Sequence, residues 1–161
     1  MGIDLIYSLR GLAPYDVNHD NSFFLVTSLS DALRYLRILI NDRGLIGAAK
    51  LVAKITLGRC HYFGLADGNS PISTGIAALG YCSFYEVPTD AVVIGEIVTN
   101  EQCRGRGFAT KAIMLLINAQ MNRGRALFFI DTQGGNAPMI RAIQKLGFHP
   151  QYGNHGKPLV S

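Results

Sequence analysis

Cysteine is scarce and badly placed for structural duty. The 161 residues hold only three, Cys60, Cys82 and Cys103, an odd number with no close pair. That spacing excludes a zinc-finger type of site and a disulfide framework, and it fits reduced thiols in a cytoplasmic protein. Charged residues are also few, at 16%, against 48% apolar ones, a balance that argues against disorder. Long apolar runs are missing: Leu45 to Leu57 is broken by Lys50 and Lys54, short of the roughly 18 residues a membrane span needs. The start lacks the basic region and small-residue cleavage site of a secretion signal. Met1-Gly2 is followed by Ile6 where myristoylation wants Ser or Thr. These absences lead us to expect a chain with no membrane partner.

What is present is enough chain for one domain, residues 1–161, with a core that needs neither metal nor disulfide. The net charge of +4 suits a polyanionic small ligand. The basic residues are scattered rather than clustered with aromatics, so no nucleic-acid partner is expected. No repeat or linker is visible.

Periodicity supplies the elements. Ile3 to Leu12 reads as a short strand or an arm, Pro14 to Asn21 as a loop, and Phe23 to Thr27 as a strand. A helix follows Ser30, with Leu33, Leu36 and Ile40 on its apolar face and Gly44 as its stop. A second runs from Leu45 to Leu57, ended by Gly58. Strands are expected over His61 to Ala66, Thr74 to Tyr85 and Ala91 to Thr99, joined by the turns Asp67-Gly68-Asn69 and Pro88-Thr89-Asp90. Short connections make these an antiparallel meander. Then come a helix from Phe108 to Arg123, a strand from Leu127 to Asp131, and a helix from Asn136 to Leu146 with Pro138 in its first turn. Gly147 should cap that helix in the left-handed conformation. Two strands joined through a helix should be parallel. The fold class is therefore α/β (α+β): a mixed, mostly antiparallel sheet with helices on both faces and one parallel pair.

The chemistry concentrates in Gln102-Cys103-Arg104-Gly105-Arg106-Gly107-Phe108-Ala109-Thr110, between a β-branched strand and an amphipathic helix. Two glycines let the backbone turn and approach a ligand, and the helix start directs free N–H groups and partial positive charge at the same place. A pyrophosphate suits such a loop, and Arg104, Arg106 and Lys111 would add cationic side chains. A P-loop would need Gly-Lys-Ser/Thr, which is absent. A dinucleotide fingerprint would need a third glycine where Thr110 stands, although Asp131 loosely mimics its ribose-binding acid.

The same residues resemble the acyl-CoA segment of the GNAT superfamily of N-acyltransferases, Gln/Arg-x-x-Gly-x-Gly/Ala, with Gln102 to Gly107 agreeing at every specified position. Asn136, Ile140 and Lys145-Leu146-Gly147-Phe148 resemble that family's closing block. The resemblance is specific over Val92 to Phe148. It implies transfer of an acetyl group from acetyl-CoA to a primary amine by direct attack in a ternary complex. Carried over position by position, Ile97, Val98 and Thr99 would bind the pantetheine arm and acetyl carbonyl through their backbone. Arg104, Gly105, Arg106, Gly107, Phe108, Ala109 and Thr110 would cradle the pyrophosphate. Asn136 would touch the pantetheine, and the two parallel strands would splay around the thioester.

Two departures follow from the same comparison. Many relatives carry a tyrosine as general acid where this chain has Ile143; Tyr152 is the substitute within reach of the motif. Many also add a final hairpin strand, whereas His149 to Ser161 are interrupted by Gly153, Gly156 and Pro158. The acceptor site is then either open or completed by a second copy in a homodimer. An amine must lose a proton, so a carboxylate near the gap is wanted, and Asp131 and Glu96 are the candidates. His149 and His155 read as surface residues. The acceptor is a small-molecule or peptide amine of unspecified identity. The alternatives are a non-catalytic acyl-CoA-binding module of the same fold and a dinucleotide-binding protein built on Gly105 and Gly107.

Overall fold

The computed structural model describes residues 5–11 and 13–151; Tyr152 and His155 lie outside them. Seven strands form one sheet in the order β2-β3-β4-β5-β6-β1-β7. The strands are β1 (Leu5–Arg10), β2 (Phe23–Val26), β3 (Cys60–Asp67), β4 (Ser70–Leu79), β5 (Val92–Thr99), β6 (Leu127–Thr132) and β7 (His149–Pro150). Every pairing is antiparallel except β5 with β6, which is parallel. The expected mixed sheet is the observed one.

One face of the sheet is covered by α3 (Phe108–Met121) and α4 (Ala137–Lys145). On α3, Ala112, Ile113, Leu116, Ile117 and Gln120 are buried, the 3.6-residue spacing of one helical face. They pack with Phe63, Leu65, Val92, Ile94, Phe128, Ile130 and Ile143 in the largest core cluster. Each fully buried Leu or Ile contributes about 1.5–3 kcal/mol relative to exposure, so this face anchors the sheet. Gln120, the polar residue among the buried positions of α3, meets the Nδ1 of His61 at 2.7 Å. Burial pulls the His61 pKa down to about 4, with Arg123 and Arg125 adding to the effect, which keeps the ring neutral.

The other face carries α1 (Leu29–Arg34) and α2 (Leu36–Thr56). Here the helical face expected from Leu33, Leu36 and Ile40 is not the buried one. Leu33 is 64% exposed, and Ala32, Ile38 and Leu39 are buried instead. The chain also breaks at Tyr35 (φ −102°, ψ 18°), which separates α1 from α2. The helix also begins earlier, because the Ser28 hydroxyl accepts from the Asp31 N–H. Gly44 does interrupt the helix as expected, at φ 69° and ψ 170°.

Two other segments differ from their sequence reading. The strand expected to run to Tyr85 leaves the sheet after Leu79, because Gly80 turns at φ +64°. A Cβ on Gly80 would stand 2.4 Å from the Thr89 carbonyl oxygen, so only glycine lets the 80–91 loop fold back this tightly. At the N-terminus, β1 is a full strand. It pairs with β6 over six residues and with β7 on its other side. The position beside β6 is thus filled by this chain's own first strand. The loop after β1 is pinned to α3 and α4. Asn118 exchanges hydrogen bonds with the Tyr15 backbone at 2.8 and 2.9 Å, and the Tyr15 hydroxyl donates to the Leu146 carbonyl. No helix among the described residues is long and apolar enough to cross a membrane.

Candidate functional site

The site grows out of the parallel pair. β5 and β6 are paired only from Val92 to Ile94 and from Phe128 to Ile130. Beyond Ile94 and Ile130 they part, and β6 stays bonded to β1 on its far side through Thr132. β5 meanwhile bulges, its register with β4 shifting between Thr74 and Ile76. Glu96 sits in that bulge at φ 50°, alone among the described non-glycine residues in having a positive φ. Such a conformation costs about 1–3 kcal/mol and is held only where the surroundings impose it. The Glu96 side chain pairs with Arg43 of α2, which also meets Asp42.

A cleft of about 790 Å³ opens from the end of β5. Ile97, Val98 and Thr99 line it, together with Arg104, Gly105, Gly107, Phe108, Ala109, Thr110 and Asn136. Ten of the residues singled out for the donor from sequence therefore share one wall. Arg106 does not line it; its guanidinium lies 5.5 Å from the centroid of the Phe108 ring. Lys111 is also elsewhere, held by Asp20, whose carboxyl is pulled down to about 2 chiefly by that contact. The cations that do line the cleft besides Arg104 are Arg141 and Lys145 of α4. Their i, i+4 spacing put them on one face and was the signal available in the sequence.

The loop itself has the shape anion binding needs. A 3-10 turn (Glu101–Cys103), capped by Asn100, leads in. Arg104 donates from Nε to the Thr99 carbonyl at 3.2 Å, tying the loop to the strand end. Gly107 is the N-cap of α3 at φ 79°, and no side chain caps the helix. The first-turn N–H groups therefore have no intrahelical partner and face the cleft mouth, with the helix dipole behind them. Asn136 caps α4, accepting from the Met139 N–H at 3.3 Å, so its amide oxygen has a structural task while its side chain borders the cleft. Gly147 takes φ 83° after α4, as expected.

The two acids lie in different surroundings. Alternation along β6 puts Asp131 on the side of Phe129, the face away from α3 and α4 and covered here by the 80–91 loop, at the first step past the last β5–β6 pair. Opposite stands Gly95, where a Cβ would meet nothing within 4 Å. The Tyr85 hydroxyl donates to Asp131 Oδ2 at 2.9 Å. Burial pushes the Asp131 pKa up, and the Tyr85 bond pulls the other way. Glu96 is 58% exposed and paired with Arg43. Ile143 is fully buried in the core, so the position that carries a tyrosine in many relatives offers no proton donor here. Among the described residues no cluster of metal-ligating side chains exists.

A splayed parallel pair with an uncapped helix at its open end, in an otherwise antiparallel sheet, is the architecture of an acetyltransferase and not of a repeated βαβ dinucleotide-binding sheet. The profile of the acetyltransferase (GNAT) family matches residues 56–148, and the chain belongs to that family.

Solved structures agree on the fold. A putative GNAT-family acetyltransferase from Novosphingobium aromaticivorans superposes with a TM-score of 0.58 at 15% identity, covering 91% of this chain and 60% of its own. A GNAT-family acetyltransferase from Colwellia psychrerythraea gives 0.64 at 14% identity, covering 92% of this chain and 53% of its own. The aminoglycoside N-acetyltransferase AAC(6')-Iy, in complex with CoA, gives 0.56 at 18% identity over 83% of this chain and 91% of its own. This chain thus spans little more than half the length of the first two. No curated protein matches the sequence.

Proposed function

We propose that this protein transfers an acetyl group from acetyl-CoA to a primary amine of a small molecule or peptide. The observation that carries the reading is the single cleft joining the unpaired end of β5, the uncapped start of α3 and the basic face of α4. The backbone of Ile97 to Thr99, released from β6, pairs with the amides of the pantetheine arm as a further strand would. N–H groups of the 104–110 loop bind the pyrophosphate, with charge from Arg104, and Arg141 and Lys145 add cations from α4. Asn136 borders the arm.

The acceptor approaches from the sheet face opposite α3 and α4, where the Asp131 carboxylate favours an amine over an acid. Asp131 removes the proton as the amine nitrogen bonds to the thioester carbonyl carbon and the C–S bond breaks. Ile143 offers no acid, so the thiolate departs unassisted, which its low basicity permits; a free thiol has a pKa near 8.5. Glu96, held by Arg43, serves to fix the bulge. The three free cysteines fit a reducing, cytoplasmic setting.

Thiol release from acetyl-CoA, followed against amino sugars, aminoglycosides, polyamines and lysine or N-terminal peptides, tests transfer. The expected result is amine-dependent release well above that in buffer. Binding of acetyl-CoA with no amine-dependent release across the panel would make the protein an acyl-CoA binder instead.

A further inference from the structure

The 80–91 loop does more than connect two strands. Gly80 donates to the Ala91 carbonyl at 2.8 Å and Ala91 to the Pro88 carbonyl at 3.0 Å, so the loop is closed on itself. It returns Tyr85 to the sheet, where the side chain is 6% exposed. The ring packs with Ala91, Val93 and Phe129, the last at 6.3 Å between centroids. A phenol delivered this deep needs a hydrogen-bond partner, and the partner is Asp131. The carboxylate's other oxygen has no partner among the described residues. It is not one of their buried unpartnered atoms, which are Arg43 Nη2 and Gln120 Oε1. Asp131 is half-buried, and Gly95 leaves room beside it.

We propose that Tyr85 is a positioning residue: its hydroxyl fixes one oxygen of Asp131 so that the other is presented to the acceptor amine at the opening between β5 and β6. This rests on the reading of Asp131 as the base. A rotating carboxylate would offer either oxygen in many directions; a bond from a buried phenol selects one. Tyr85 also tunes the acid. A hydrogen bond to the ionised form favours it, opposing the burial that pushes the Asp131 pKa up. Burial and the neighbouring carboxylate raise the phenol's own pKa, so it stays protonated and remains a donor. The apolar groups packed around this pair among the described residues include Ile6 of β1, Ala78, Val87 and Leu127, and the Cys82 thiol lies beside the phenol.

The test is Tyr85→Phe, which keeps the ring and removes only the hydroxyl, read by carboxyl carbon NMR titration of Asp131 in the free protein. The expected result is a proton affinity at Asp131 about tenfold higher or more than in the parent, since the bond lost is one to a charged group. With the best amine of the panel, kcat should fall about tenfold and the acidic limb of the pH profile should move up, while acetyl-CoA affinity stays unchanged. In an Asp131→Asn background the same change should have no further effect on kcat. An unchanged Asp131 titration in folded Tyr85→Phe would overturn the inference, as would losses that simply multiply in the double variant. Normal turnover in Asp131→Asn would instead remove the base assignment itself, and this inference with it.

Discussion

Asp131→Asn is expected to lower turnover by about a hundredfold or more, with little change in affinity for acetyl-CoA. The asparagine has nearly the same shape and can still accept from Tyr85, which meets Asp131 at 2.9 Å. What disappears is the basic oxygen at the gap. Burial pushes the Asp131 pKa up, so the parent's activity should rise with pH through a limb above the ordinary carboxylate range. The variant's deficit should shrink at high pH, where more acceptor arrives already unprotonated. Glu96→Gln should cost less, because Glu96 is engaged by Arg43 and stands in the bulge rather than beside the free oxygen. Steady-state kinetics across pH check both. Near-normal turnover of folded Asp131→Asn at neutral pH would assign proton removal to water or to the substrate's own ionisation.

The second large effect lies in the loop. Gly107→Val should weaken acetyl-CoA binding by about two orders of magnitude, and Gly105→Val should do the same. The residues hold φ 79° and φ 73°, a conformation that β-branched side chains scarcely adopt. No protein atom lies within 4 Å of a Cβ at either position, so the fold should survive and the strain should fall on the loop. Realigning its N–H groups forfeits hydrogen bonds to a charged phosphate, each worth about 1.5–3 kcal/mol, and every 1.4 kcal/mol is tenfold in affinity. Arg106→Ala should change affinity only slightly, since its guanidinium rests on Phe108 outside the cleft wall. Calorimetric titration measures all three. Unchanged affinity in both glycine variants would place the donor elsewhere.

The wall of the cleft was legible because most of it is local. Glycines at fixed offsets, a β-branched strand before them and an apolar period of 3.6 after them all lie within one stretch of chain, and the structure brings ten of those residues to one cleft. The surroundings of Asp131 and Glu96 were not legible, because they are assembled from distant pieces. Tyr85 read as the end of a strand, and only the tight turn at Gly80 carries it to Asp131, 46 residues further on. The clamp of Arg43 on Glu96 spans 53 residues. Lys111 illustrates the opposite error: placed near the phosphates by its position in the motif, it is held by Asp20. The buried side of the first helices was misread because leucine stands on both faces of this apolar stretch: Leu33 is exposed while Ala32 and Leu39 are buried. The strand beside β6 comes from the chain's other end, which no local pattern could announce.

The central claim is that the cleft between β5, α3 and α4 is an acyl-CoA site. Thermal unfolding in the presence of acetyl-CoA, NAD or ATP at matched concentrations tests it most directly. A ligand bound only to the folded state stabilises by RT ln(1 + [L]/Kd), about 2.7 kcal/mol at a hundredfold excess over Kd. Acetyl-CoA should raise the melting temperature in a concentration-dependent way, with NAD and ATP having far smaller effects. A melting curve unmoved by saturating acetyl-CoA and shifted by NAD would contradict it.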